Sequence, residues 1–157
     1  MLWCWSRLWV RAPSGRQRFN VLGALNAFTQ EVITITNTDY INSQSVCALL
    51  HKIKALTPRL PITVVLDNAR YQRCALVQNL AAALNIELLF LPPYSPNLNL
   101  IERLWKFVKK QSLYGQYYST FDAFTTAIQS CLSQTKTTHR HALQSLLTPN
   151  FQTFAIT

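Results

Sequence analysis

At 157 residues, 49% of them apolar, the chain is long enough to bury a core as one domain and too apolar to be a disordered segment. Fifteen basic residues against six acidic ones leave a formal net charge of +9, which argues for a polyanion partner, nucleic acid foremost, although a merely basic surface would give the same figure. Cys4, Cys47, Cys74 and Cys131 form no Cys-x-x-Cys pair, which argues against a zinc knuckle and fits reduced core thiols of a cytoplasmic protein.

Residues 1–10 are apolar and rich in tryptophan. Arg7 interrupts them, no small-residue cleavage site follows, and the stretch is too short to cross a bilayer, so neither a leader nor a membrane segment is expected. A turn signal at Ala12, Pro13, Ser14 and Gly15 precedes a strand-like run over 19–26. A short connection at 28–30 and a second β-rich run over 31–36 complete a hairpin. Asn42 can cap a helix whose stripe is Val46, Leu49, Leu50 and Ile53. Pro58 and Pro61 end it. The apolar run 62–66 predicts a central strand covered on both faces. A second helix is predicted over 70–84 with Leu76, Leu80, Ala83 and Leu84 inward, stopped by Asn85. A buried strand follows at 86–91, then the stiff loop 92–97. A third helix starts near Asn99 and buries Ile101, Leu104, Trp105 and Val108, and further helices are expected over 119–133 and 138–147. His139 and His141 fit the solvated start of the last helix better than a metal site. Strands alternating with helices imply an α/β fold, a mixed or parallel sheet with helices on its faces.

Such sheets place functional groups at the carboxyl ends of strands, and Asp67 sits at such an end. Glu102 follows the next strand, beside the buried stripe of its helix. Singly, Asp67 reads as a helix cap and Glu102 as a solvated helix residue. Together, after adjacent strands, their oxygens are expected within roughly 8 Å of each other, where only protonation or a cation relieves their repulsion. Oxygen-only ligation suits Mg²⁺ or Mn²⁺.

Val64-Val65-Leu66-Asp67-Asn68, followed by Leu91-Pro92-Pro93-Tyr94-Ser95-Pro96-Asn97-Leu98-Asn99-Leu100-Ile101-Glu102-Arg103-Leu104-Trp105, resembles mariner-type transposases and their bacterial insertion-sequence relatives. The likeness runs from about Ala12 to the C-terminal helices. It implies a ribonuclease-H-like sheet and an Asp-Asp-Glu triad whose last two acids have 34 residues between them, as Asp67 and Glu102 do. By that resemblance Asp67 is the second acid, Glu102 the third, and Asn68 a neighbour that supports the site. Gln72 stands where many relatives carry a histidine.

The family's first acid has no counterpart, since residues 1–30 contain neither Asp nor Glu. Glu31 and Asp39 lie in the hairpin and the loop beyond it, where solvation and helix capping are the expected tasks. The resemblance therefore implies the C-terminal part of a transposase catalytic domain without its first, central strand, as in a truncated copy or one frame of a split gene. It implies metal-dependent cleavage and transfer of DNA strands, with DNA as partner and a homodimer as the assembly compatible with it. Arg70, Arg73, Arg103, Lys106, Lys109 and Lys110 are the candidate phosphate contacts. With one acid lacking, this chain alone is expected not to cut DNA efficiently. The alternative is a non-catalytic nucleic-acid-binding module of the same fold. A ribonuclease H fits the Pro-Tyr-Ser-Pro loop and the acid spacing less well.

Overall fold

The structure is a computed structural model that describes residues 17–93, 95 and 98–151. The Trp-rich start, Cys4, the turn at 12–15 and part of the loop at 92–97 (Tyr94, Pro96, Asn97) lie outside the described residues. Alternating Val, Ile and Thr build the expected antiparallel hairpin, β1 (Asn20–Leu25) and β2 (Val32–Asn37), with Asn20 opposite Asn37 and Leu25 opposite Val32. The Asn26 side chain closes its turn by accepting from the Phe28 and Thr29 amides, and Gln30 takes a positive φ of 58°. Glu31, expected in solvent, instead ion-pairs with Lys136 at 2.6 Å. Both partners are exposed, so the pair contributes about 1 kcal/mol at most.

Helix α1 (Ser43–Leu56) begins as its sequence predicts. Asn42 accepts from the Ser45 amide and the Ser45 hydroxyl accepts from the Asn42 amide, a reciprocal capping box. Val46, Leu49 and Leu50 are buried. Strands β3 (Ile62–Leu66) and β4 (Ile86–Phe90) pair in parallel, Ile62 with Ile86 and Leu66 with Phe90, across the connection that contains α2 (Ala75–Ala83). Then come α3 (Leu100–Ser112), α4 (Phe121–Ser133), a 3₁₀ turn (Gln134–Lys136) and α5 (Arg140–Leu146). His139 stands at the start of α5 with its ring edge-on to Phe107, 5.2 Å between centroids.

Three expectations need correction. The second helix begins at Ala75 and not at 70. Asn68 takes φ 80° and Cys74 is extended, so only a 3₁₀ turn (Arg70–Gln72) forms ahead of it. That start sets the phase of the helix. Val77 and Ala81 face the core, while Leu76 is 53% exposed. The second correction concerns β3 and β4. Their residues alternate, with Val65 44% and Leu89 51% exposed, so one face of this pair is uncovered among the described residues. The third is the sheet itself. In place of one mixed sheet, the described strands form two two-stranded sheets, one antiparallel and one parallel.

Two apolar clusters account for the packing. One joins α3, α4 and α5 through Leu104, Val108, Ile128, Cys131, Leu132, Leu143 and Leu147, with Val21 and Leu25 of β1 against it. The other joins α1, α2 and β4 through Val46, Leu50, Val77, Ala81 and Ile86, with Leu22 of β1 and Val64 of β3 against it. The period of two in β1 thus sends alternate side chains to two different cores. Each fully buried leucine, such as Leu50 or Leu104, contributes about 1.5–3 kcal/mol. Among the described residues no helix is long and apolar enough to cross a membrane.

Candidate active site

The carboxyl ends of β3 and β4 are tied together. The Leu91 amide donates to the Leu66 carbonyl at 2.9 Å, and Asn68 Nδ2 donates to the Leu91 carbonyl at 3.0 Å. Asn68 reaches back because its backbone is left-handed, a conformation that asparagine tolerates better than most side chains. Its Oδ1 is buried and has no hydrogen-bond partner among the described residues. The next turn is held by Gln72, a buried polar side chain whose Oε1 accepts from the Ala69 amide at 3.2 Å.

These ties leave Asp67 exposed on the rim of an open depression of about 540 Å³, lined also by Asn68, Arg70, Arg73 and Pro93. The Arg73 guanidinium lies over the Phe90 ring, 4.9 Å from its centroid. Tyr71 is close enough to feel the Asp67 carboxylate. Burial, and then that negative charge, push its phenol above the ordinary value. One carboxylate flanked by two guanidinium groups can attract both a hard cation and a phosphate.

Glu102 arrives from a different element. Asn99 caps α3 by accepting from the Ile101 amide, and Glu102 occupies the first turn, where the helix dipole favours a negative charge. Ile101 and Trp105 dock α3 onto β1. A Cβ on Gly23 would lie 2.8 Å from Trp105 Cη2, so only glycine lets the indole approach the strand so closely. Glu102 is half-buried, forms no ion pair among the described residues, and is not among the residues that line the depression. The structure therefore gathers Asp67, Asn68, Arg70 and Arg73 around one concavity, and places Glu102 on α3, the helix that packs against β1.

Sequence reasoning puts Arg103 on phosphate, but its guanidinium has another task. Its two terminal nitrogens donate to the carbonyls of Leu146 (3.3 Å), Thr148 (2.8 Å) and Asn150 (2.9 Å), and it lies over the Phe151 ring. It fastens the segment after α5 to the start of α3. Lys106, Lys109 and Lys110 are exposed on the outer side of α3. Lys109 and Lys110 also suit the negative end of the helix dipole. Sequence reasoning misses the roles of Gln72 and Tyr71. A polar residue two places beyond Arg70 carries no sign of being buried.

Among the described residues no three acidic, histidine or cysteine side chains come together as a metal cage. Two carboxylates are hard oxygen donors of the kind that hold Mg²⁺ when waters and a substrate phosphate complete the shell. Two such donors fall short of a site for two ions.

The chain spans less than half of a solved structure that it resembles and less than a third of a curated relative. The structure is a chain of the simian T-cell lymphotropic virus intasome, solved by cryo-electron microscopy in complex with the PP2A regulatory subunit B56 gamma. The TM-score is 0.51 at 15% identity, over 73% of this chain and 46% of that one. At that identity the likeness shows the fold, an α/β arrangement of the ribonuclease-H-like type. The relative is the uncharacterized protein y4pE/y4sA of Sinorhizobium fredii, 40% identical over 42 residues, 27% of this chain and 31% of that protein. The sequence profile of the DDE superfamily endonuclease family matches residues 6–125, which takes in both Asp67 and Glu102. With that match over most of its length, the chain belongs to the DDE superfamily endonucleases.

Proposed function

We propose that this chain is the C-terminal part of a transposase catalytic domain, in which Asp67 and Glu102 hold a divalent ion, Mg²⁺ or Mn²⁺, next to a DNA phosphate. The observation that carries this reading is the exposed Asp67 at the carboxyl end of β3, in a concavity it shares with Asn68, Arg70 and Arg73. When bound, such an ion would polarise a phosphodiester and lower the pKa of an attacking water. The chain's own residues do the rest. Asn68 holds the end of β3 against β4 and so fixes the direction of Asp67. Arg70 and Arg73 seat the phosphate, while Lys106, Lys109 and Lys110 hold flanking backbone through charge alone. Arg103 is left out of the set because three of its donors are taken. A homodimer is the simplest assembly that would hold two DNA ends.

Two carboxylates leave the shared ligand position of a two-ion site without a donor. Cleavage therefore requires a third acid from outside the described set, on a strand inserted between β1 and β3. The two separate sheets support that placement, since α1 packs against residues of both while neither bonds to the other. The test is a nicking assay with Mg²⁺ or Mn²⁺ on DNA carrying an element's ends, on this chain and on a version extended upstream to include an acid. We expect Glu102-dependent cleavage only from the extended protein. Equal Glu102-dependent cleavage by both would overturn the reading. A second reading, a nucleic-acid-binding module without catalysis, is favoured by the lack of a three-acid cluster among the described residues. It predicts DNA binding indifferent to Asp67→Asn and to divalent ions.

A further inference from the structure

Beyond β2 the chain forms a short polar loop that is held with unusual care for a surface segment. Asn20 Nδ2 donates both to Asn37 Oδ1 at 2.9 Å and to the Asp39 carbonyl at 2.8 Å, and Asn37 Nδ2 donates to the Tyr40 carbonyl at 3.3 Å. These amides are polar links between the end of the hairpin and the loop that follows it. What they fix is the position of Tyr40, which is 71% exposed. The Arg18 guanidinium lies 4.4 Å from the centroid of its ring. A concavity of about 510 Å³ opens beside the pair, lined also by Gln17, Thr38, Asp39 and Phe121.

An aromatic ring exposed to solvent on an anchored loop, with a cation on one face, is the arrangement on which unpaired bases stack. Every base offers a π-face, while the guanidinium can also meet the flanking phosphate. The Asp39 carboxylate at the rim suits the exocyclic amine of cytosine or adenine and would repel a phosphate placed directly over the ring.

We propose that Tyr40, backed by Arg18, is a stacking site for an unpaired base of bound DNA, a reading that rests on the DNA-binding function proposed above. The test is fluorescence anisotropy at fixed salt with two probes, a blunt duplex and the same duplex with a short deoxycytidine overhang. The chain is expected to bind the overhang about tenfold more tightly, a typical contribution for one stacked base. Tyr40→Ala should erase the difference and leave the blunt duplex unchanged, and Tyr40→Phe should keep it. Circular dichroism shows whether each variant is folded. Equal affinity for both probes, with Tyr40→Ala changing neither, would overturn the stacking site and leave the DNA reading intact. If the chain binds neither probe, the DNA reading falls. In that case, shifts of the Tyr40 ring resonances on addition of deoxycytidine monophosphate would still uphold base stacking, and unmoved resonances would overturn it too.

Discussion

Asn68 combines two requirements that no other side chain meets as well. It holds a left-handed backbone and donates to the Leu91 carbonyl. Alanine there loses the hydrogen bond and adds the strain of φ 80°, which sums to about 2 kcal/mol. Glycine loses the bond but not the conformational ease, so Asn68→Gly should cost about 1 kcal/mol. Urea denaturation measures both, and equal losses would show that the backbone is not strained. Tyr71 offers a pH test of its nearness to Asp67. Its phenol is raised above the ordinary value of about 10 by burial and by the carboxylate. A raised value means that the native state keeps the proton longer than the unfolded chain. The stability involved is fully present below the unfolded value and is lost as pH rises through the folded one. Tyr71→Phe should therefore flatten the alkaline decline relative to the parent chain. Asp67→Asn should bring the phenol, followed by ultraviolet difference absorbance, part of the way back. A phenol unmoved by Asp67→Asn would separate the two groups. At this scale the place of Asp67 and Asn68 at the carboxyl end of β3 is legible from the sequence. The φ of Asn68 and the burial of Gln72 are not, because Asn68 answers to Leu91 beyond β4 and the turn that carries Gln72 packs against α1.

Among the elements, α3 carries the most information. It docks on β1 through Ile101 and Trp105 over Gly23, and Arg103 ties its start to the segment after α5. Arg103→Lys keeps the charge but loses the planar fork that reaches several carbonyls at once, so it should cost about 1–2 kcal/mol. Hydrogen exchange should quicken over residues 143–151. Exchange unchanged by the substitution would mean that apolar packing of Leu143 and Leu147 holds the segment by itself. Capping makes helix starts legible at Asn42 and Asn99, since the cap is local. The start of α2 escapes because every residue over 70–84 tolerates helix, and the break at Cys74 is decided by packing against the cluster that contains Val77 and Tyr71. The same limit applies to β3. Four apolar residues and a threonine do not reveal whether a helix lies over both faces, and here α3 lies over β1 instead.

For the molecule as a whole, the charge of +9 is the property most readily tested. On the proposed function, phosphate contacts by Arg70, Arg73, Lys106, Lys109 and Lys110 would release counterions, so the logarithm of the DNA association constant should fall linearly with that of salt concentration. Removing one contact, as in Lys106→Gln, should reduce the slope by about 1, whereas Arg103→Gln should leave it unchanged. An affinity that ignores salt would count against nucleic acid altogether. The alternation of helices and strands, and with it the α/β class, is legible along the chain. The division into two sheets is not, because sheet order is a matter of which strands meet and not of how each is patterned.

The hairpin strand β1 faces one core with Val21 and Leu25 and the other with Leu22. It is the wall that the two cores share. Each core is closed mainly by elements consecutive in sequence, α1 to β4 on one side and α3 to α5 on the other, so each resembles a cooperative unit able to open on its own. Native-state hydrogen exchange in low denaturant should then resolve two isotherms, one for Val46, Leu50 and Val77, the other for Leu104, Val108 and Leu143. The β1 amides should follow whichever unit opens last, because that strand stays covered on one face until both have gone. A single isotherm for all six would show that the shared wall couples the two units into one.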